Sequence, residues 1–270
     1  MSVVTRKIAL LKTQEYFNKI SSVSSDIKDK RSVFNFVEGI HDLGLWDSMV
    51  CWPLTSSQNA GVGNTAFSLG GLGTFDGTLV NGPTWGINGV ACGQTWNNGN
   101  SIDILGLTKA WTPVTFGVVA YSGVGSFATK NTNGAPASDI GSMCVLTNAN
   151  NLGDNVVTLN VAKQMEHSYS PYTAPSFCAL SAPFVGATLY RDSNISAINT
   201  VTETSSEETL NFYNNLRFMS IGGNSASSYG VTATGVIPFA FICKQALSQN
   251  EWNAYRNLYK TTLGKELGLP

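Results

Sequence analysis

The carboxylates are the first place to look for chemistry in this chain. Cleaving a glycosidic bond takes two of them flanking the bond, roughly 5–10 Å apart. On a single strand that requires acids at i and i+2, or i and i+4, where side chains share a face. No E-x-D-x-E run occurs in the 270 residues. Glu203, Glu207 and Glu208 fall in TVTETSSEETL, a Ser/Thr-rich stretch that reads as a solvated turn. Nucleophilic catalysis is no better provided for. There are two histidines: His41 ends a helical stretch, where its charge suits the dipole, and His167 stands beside Glu166 in a polar turn. No G-x-S-x-G elbow accompanies them. The expectation is a protein with no catalytic residue, and not an enzyme.

Metal and phosphate chemistry are equally sparse. Zinc sites draw on clustered Cys and His, but Cys51, Cys92, Cys144, Cys178 and Cys243 are widely and irregularly spaced. An odd count without a visible leader favours free, buried thiols made in a reducing cytoplasm. Calcium needs several oxygen ligands from a loop. Asn150, Asn151, Asp154 and Asn155 supply one oxygen-rich loop, and Asp192 with Asn194 another. No cofactor is expected, and bound calcium stays open. The segment Gly70-Gly71-Leu72-Gly73 lacks phosphate-loop spacing and a following Lys, and reads as a tight β-corner. Aromatic residues remain. Trp85, Trp96, Trp111, Tyr121, Tyr169 and Tyr172 lie in or near loops. Flat rings beside Asn and Asp suit sugar recognition, by stacking and paired hydrogen bonds, and they also suit a sandwich core. The candidate ligand-binding set is Trp85, Trp96, Trp111, Asn150, Asp154 and Asp192.

The elements that must position these residues follow from composition and period. The chain is 43% apolar and 12% charged, about half the usual charged fraction. Twenty-five Asn and 27 Gly, with abundant Ser and Thr, supply the polarity instead. Residues 1–31 hold seven Lys and Arg against three acids, whereas residues 32–243 hold five against twelve. An acidic body excludes phosphate-backbone binding, which needs clustered cations, so nucleic acid is not an expected partner. No apolar run is long enough to span a bilayer, and no membrane association is expected. Val3, Leu10 and Phe17 recur every seven residues, and Val33, Phe36, Val37, Ile40 and Leu43 mark one buried helical face, with Gly44 as its C-cap. From about residue 50 to 247 the pattern changes to short β-favouring runs such as VTFGVVAY and VIPFAFIC. Asp76-Gly77, Asn81-Gly82, Asn88-Gly89 and Asn133-Gly134 punctuate them as hairpin signals. Ten or more such strands predict a sandwich or jelly roll. Ser248 and Glu251 form a capping box that opens a last helix, with Trp252, Tyr255, Tyr259 and Leu263 on one face and Gly264 at its end. This helix is expected to pack back on the sandwich or on the N-terminal helices.

Particular phrases then carry a resemblance. Gly44-Leu45-Trp46-Asp47-Ser48-Met49 leads into Cys51-Trp52-Pro53-Leu54, followed by a run from Phe75-Asp76-Gly77 to Thr84-Trp85 and by Asn88-Gly89-Val90. The end runs from Ala246-Leu247-Ser248 through Glu251 and Tyr255 to Thr262-Leu263-Gly264. The arrangement resembles bacteriophage virion proteins with a concanavalin A-like (laminin G-like) lectin/glucanase domain, over residues 40–264 in order. The resemblance implies a mainly β, concanavalin A-like jelly-roll sandwich (46–270) closed by a C-terminal helix. Residues 1–45 would be a helical segment that anchors or oligomerises it. It further implies a viral structural protein, made in the host cytoplasm and displayed on the virion as a spike, tail-fibre or decoration protein. Its partners would be other virion proteins, further copies of itself (a trimer by analogy) and host-surface polysaccharide. It carries over no catalytic residue, because the glucanase acid motif is missing. Two competing readings are a purely structural capsid or tail component, and a polysaccharide-degrading enzyme using Asp139 with Glu166.

Overall fold

The computed structural model describes residues 3–26, 28–92, 101–106, 114–121, 126–129, 143–147, 154–159, 164–168, 175–182, 187–192, 194–198, 216–220 and 235–270. Two helices open the chain, α1 (Val3–Ser21) and α2 (Lys30–Asp42). They run antiparallel, as an Arg6–Glu38 ion pair joins the start of α1 to the end of α2 and Lys30 lies over the Phe17 ring near the opposite ends. Asp29 caps α2 by accepting from Ser32 N. Gly44 takes φ +70° just past the helix, the left-handed conformation that a glycine permits at low cost. A single 3-10 turn, Trp46–Ser48, then delivers the chain to the sheets.

Three antiparallel sheets follow. The first has the order β1 (Met49–Pro53), β17 (Phe239–Cys243), β7 (Val114–Ala120), β12 (Ser176–Ala182), β13 (Ala187–Arg191), β14 (Asn194–Ile198). The second has the order β11 (Gln164–Ser168), β10 (Asp154–Leu159), β9 (Met143–Thr147), β8 (Ser126–Thr129), β15 (Leu216–Ser220), β6 (Ser101–Ile104), β3 (Gly77–Val80), β2 (Thr65–Ala66). A small third sheet joins β16 (Gly235–Ile237), β5 (Gly89–Cys92) and β4 (Thr84–Gly86). The expected mainly β sandwich with N-terminal helices and a C-terminal helix, α3 (Gln249–Thr261), is the architecture found.

The first sheet is covered on both faces. Val50, Trp52, Phe116, Val118, Leu180 and Ile242 point from one face into a core shared with Leu79, Ile102 and Ile104 of the second sheet. Cys51, Val119, Phe177, Ala179, Phe239 and Phe241 point the other way, into a cluster shared with α1, α2 and α3. That explains why VTFGVVA and FAFIC are apolar without alternation: every residue of β7 and β17 is buried. A sheet with one wet face would have alternated. Residues 1–45 thus contribute to the same buried cluster as the sandwich strands.

Helix α3 seals this outer face. Its capping box is complete: Ser248 Oγ accepts from Glu251 N at 3.4 Å, and Ser248 N donates to Glu251 Oε2 at 2.7 Å. Trp252, Tyr255 and Tyr259 then meet the sheet's rings: Phe177–Trp252 centroids lie 4.8 Å apart, Phe241–Tyr255 4.8 Å and Phe239–Tyr259 4.5 Å. Each ring buried is worth about 1.5–3 kcal/mol relative to exposure, so α3 packs both on the sandwich and beside α2. The helix ends at Thr261, and the chain turns at Gly264, where a Cβ would lie 2.5 Å from the Tyr259 ring.

The glycine segment at 70–73 is the corner expected of it. Gly70 has φ +147°, and a Cβ there would sit 2.2 Å from Met49 O; a Cβ on Gly71 would meet the Trp46 ring at 2.5 Å. Two hairpin expectations change on inspection. Asp76-Gly77 is not a turn: Gly77 begins β3, and Asp76 Oδ1 instead accepts from Ser68 N and Ser68 Oγ at 2.8 Å. Asn81-Gly82 is a left-handed pair, φ 62° and 85°, but it links the second sheet to the third rather than closing a hairpin. The β4–β5 hairpin does form, with Ile87 and Asn88 between the paired Gly86 and Gly89. Asn133-Gly134 lies outside the described residues. Among the described residues, no helix is long and apolar enough to cross a membrane.

Candidate functional site

Of the candidate residues, Trp85 lies partly exposed at a sheet edge. It sits on β4, the edge strand of the third sheet, opposite Val90. Its ring leans on the apolar clusters on both sides of the first sheet and is half-buried. The indole Nε1–H donates to Gly63 O at 3.0 Å. Thr84, Val62, Gly63, Asn64 and Ile87 are exposed along the same edge, Ile87 at 75% and Val62 at 44%. The surface offered is a fixed indole with aliphatic neighbours, a hydroxyl and an amide, and no ionisable group among these residues.

What fixes the indole is the loop at 54–64, and Asn59 organises that loop. Asn59 is fully buried and uses both ends of its amide. Nδ2 donates to Pro53 O (2.7 Å) and Phe67 O (2.9 Å), while Oδ1 accepts from Ala60 N (2.7 Å) and Phe67 N (3.0 Å). The helical layer grips the loop from below. Lys28 Nζ donates to Ser56 O and Ala60 O, both at 2.9 Å, and Tyr16 Oη donates to Gln58 O at 2.9 Å. Gln58 Nε2 continues to Leu263 O at 2.8 Å, and Asp29 N donates to Ser57 O at 2.8 Å. Ser56 N closes the circuit by donating to Gly86 O beside Trp85. Burial pushes the Lys28 ammonium below its ordinary pKa and the Tyr16 phenol well above its own, as expected of groups removed from water. Neither Asn59 nor Lys28 stood out in the sequence. One asparagine among 25, in a stretch of small polar residues, carries no mark of type or spacing.

The other candidates are placed differently. Asp192 lies at the β13–β14 turn with φ 50° and is 7% exposed. Its Oδ1 accepts from Phe177 N at 2.9 Å, its backbone N donates to Phe177 O at 2.8 Å, and its carbonyl accepts from Trp252 Nε1 at 3.1 Å. The carboxylate read as a ligand group therefore ties a strand corner to α3. Asp154 begins β10, paired with Ser168. Trp96, Trp111 and Asn150 lie outside the described residues, as do Tyr169 and Tyr172; Tyr121 is half-buried against the helical-side cluster. Of the six candidates, the three described ones stand on different sheets: Trp85 on the third, Asp154 on the second and Asp192 at a corner of the first.

The groups considered for catalysis are also placed. His41 stacks on Trp46, centroids 4.6 Å apart at 19°, and burial lowers its pKa despite Asp47 and Asp42 nearby. Burial at this position thus disfavours the charge that the sequence reading assigned to the helix end. Glu166 and His167 are in strand β11, opposite Val156 and Asn155, rather than in a turn. Asp139, Glu203, Glu207 and Glu208 lie outside the described residues. Cys51, Cys92, Cys178 and Cys243 are free and buried. Among the described residues, no three His, Cys, Asp or Glu side chains could hold a metal ion together.

Comparison with known proteins bears on the fold alone. No protein family matches the sequence, and no curated protein matches it. The fold does match solved structures. A botulinum neurotoxin serotype D/C binding domain aligns with a TM-score of 0.51 at 12% identity, over 79% of this chain and 52% of that one. A structure of botulinum neurotoxin type C, which enters cells through interaction with two ganglioside molecules, aligns at 0.52 and 12% with the same coverage. A Trypanosoma rangeli sialidase bound to 2,3-difluorosialic acid aligns at 0.52 and 12%, over 87% of this chain and 39% of that one. The chain spans about half the length of the toxin structures it matches. At this identity the likeness shows the fold alone: a mainly β sandwich of antiparallel sheets with N-terminal helices and a C-terminal helix.

Proposed function

We propose that this chain is a non-enzymatic carbohydrate-recognition protein of a bacteriophage particle, presenting its sandwich to host-surface polysaccharide. The observation that carries the reading is the fixed, half-exposed Trp85 on an edge strand, flanked by Thr84, Asn64 and aliphatic side chains. A ring held by a hydrogen bond and a rigid loop loses little entropy on binding, which is how preorganised aromatic anchors gain affinity. The low charge fits a neutral sugar, since long-range steering needs a field this surface does not have. The lectin-like fold supports the same reading, because the toxin structure and the sialidase structure it resembles are described with gangliosides and with a sialic acid derivative. The particle assignment rests on the sequence phrases at 44–54, 75–90 and 246–264. The lack of an E-x-D-x-E run speaks against cleavage.

The test is a polysaccharide array of bacterial surface glycans probed with the full chain, followed by titration of the best ligand. Trp85→Ala should weaken binding at least tenfold, about 1.4 kcal/mol, with the circular dichroism spectrum unchanged. Absence of binding to every glycan, or an unchanged affinity in Trp85→Ala, would overturn the reading. Release of reducing ends would replace it with an enzymatic one.

A further inference from the structure

The junction between the helical layer and the first sheet encloses a nitrogen with no partner. His41, in the last turn of α2, stacks on Trp46 with centroids 4.6 Å apart and planes at 19°. Its Nε2 is buried and has no hydrogen-bond partner. A ring nitrogen enclosed without an acceptor is best left as a bare lone pair, which places the imidazole proton on Nδ1. Trp46 is wedged from its other side as well. Its ring lies against Gly71, where a Cβ would come within 2.5 Å, and its carbonyl accepts from Gly71 N at 2.9 Å. Trp46 thus joins the end of α2 to the glycine corner, where the chain leaves the helices for β1.

The charged groups around His41 come from three elements. Asp42 on α2 and Asp47 in the 3-10 turn favour the imidazolium, whereas Lys12 on α1 opposes it. Lys12 is held by Glu15 at 3.0 Å, and Glu38, one turn before His41, meets Arg6 at 3.9 Å. The corner Leu69-Gly70-Gly71-Leu72-Gly73 supplies no ionisable group. Burial outweighs the two aspartates and holds the imidazole below its ordinary pKa. An imidazolium over an indole is attractive where its N–H groups reach water. Here protonation would create a buried donor with nothing to accept it, which is the costlier effect. We propose that His41 is an acid-sensitive latch: gaining a proton at Nε2 drives its ring off Trp46 and loosens the junction between α2 and β1, with the sandwich core intact. The open junction lets His41 titrate at its ordinary value, and the closed one holds it lower. Closure is therefore fully favoured above the ordinary value and weakens as pH falls below it.

Hydrogen exchange of the full chain at pH 7.5 and pH 5, corrected for the intrinsic rate, reads this junction. Opening of peptides covering 41–50 and 69–73 should rise about threefold or more in acid, while peptides from α3 and β7 stay unchanged. His41→Phe keeps a ring on Trp46 and cannot take a proton, so it should stay closed and lose the acid response. The only other imidazole belongs to His167. In His167→Gln the single remaining imidazole resonance should titrate below the usual histidine value. An ordinary or raised titration of His41, an acid response that survives in His41→Phe, or acid opening that extends to α3 and β7 would each overturn the proposal. Should His41→Phe melt early, the titration in His167→Gln decides alone.

Discussion

Replacing Asn59 by alanine should cost stability out of proportion to the atoms removed. Four buried backbone groups lose their partner: Pro53 O, Phe67 O, Ala60 N and Phe67 N, all bonded to this amide at 2.7–3.0 Å. Each buried group left unpaired costs about 1–3 kcal/mol. If a water enters the vacated space and satisfies two of them, a loss of about 2–6 kcal/mol remains. Whole domains are stable by only about 5–15 kcal/mol, so the change is large. With a urea slope of about 3 kcal/mol/M, the unfolding midpoint should fall by about 0.7–2 M, read by tryptophan fluorescence. Asn64→Ala, five residues away and exposed, should stay within about 0.5 kcal/mol of wild type. Asn59→Asp sharpens the test. It keeps both accepted bonds but sets a carboxylate oxygen against Pro53 O and Phe67 O, where the amide donated. Burial and those carbonyls favour the protonated acid in the folded state, so the folded pKa lies above the unfolded one. The native state then holds the extra proton, and the variant should gain stability as pH falls through that folded pKa. An Asn59→Ala midpoint within a few tenths molar of wild type, or an Asn59→Asp stability that does not rise in acid relative to Asn59→Ala, would refute the assignment of this residue as the organiser of the loop.

Other consequences follow from close packing. Gly117 lies in the middle of β7, where a Cβ would come within 2.4 Å of Cys178 O, 2.7 Å of Ala179 Cβ and 2.8 Å of the Phe241 ring. Gly117→Ala should therefore destabilise by about 3 kcal/mol or more, against about 1 kcal/mol for Gly82→Ala, which is strained at φ +85° but has open space; the reverse order in urea melts would contradict the packing described. Burial pushes the Cys243 thiol up to about 11 and raises that of Cys51 further. Since the thiolate is the reactive form, Cys51, Cys92, Cys178 and Cys243 should resist alkylation near pH 8 in the folded protein and label fully in guanidinium. Fast native labelling at any of these four, located by peptide mapping, would count against their burial.

The legible parts of the fold were those written in local rules. Ser248 and Glu251 announce α3 because a capping box is short-range chemistry, and Gly44 announces the end of α2 for the same reason. The continuous apolar runs of β7 and β17 say that these strands are buried but not by what, because strand periodicity cannot distinguish a second sheet from a helical layer. Asp76-Gly77 misled as a turn signal: its aspartate is consumed by Ser68, eight residues back, a contact the local pattern cannot contain. The site divides in the same way. Trp85 could be picked out by its type and its turn-rich neighbourhood. Asn59 and Lys28, which make it rigid, act through backbone atoms of a folded loop and so leave no trace in residue type. The buried bond of Asp192 Oδ1 to Phe177 N was not legible, because an acid in a turn reads identically whether its carboxylate faces water or a backbone amide.

The uneven charge of the chain acquires a spatial meaning from the fold. Residues 1–31 carry seven bases against three acids, and residues 244–270 carry four against two. Both segments fold onto the same outer face of the first sheet, as α1, α2 and α3. The basic ends of the chain therefore meet in one layer, where Glu38 and Asp42 of α2 offset part of their charge. Trp85 lies at the edge of the third sheet and leans on both clusters, and its loop is fastened to the helical layer through Lys28, Tyr16 and Leu263. The loop that holds the indole is thus tied directly to α1, through the buried hydrogen bond from Tyr16 Oη to Gln58 O. The basic layer and the edge carrying Trp85 are thus different surfaces of the described structure. The low overall charge reflects how little of the second surface needs to be ionic.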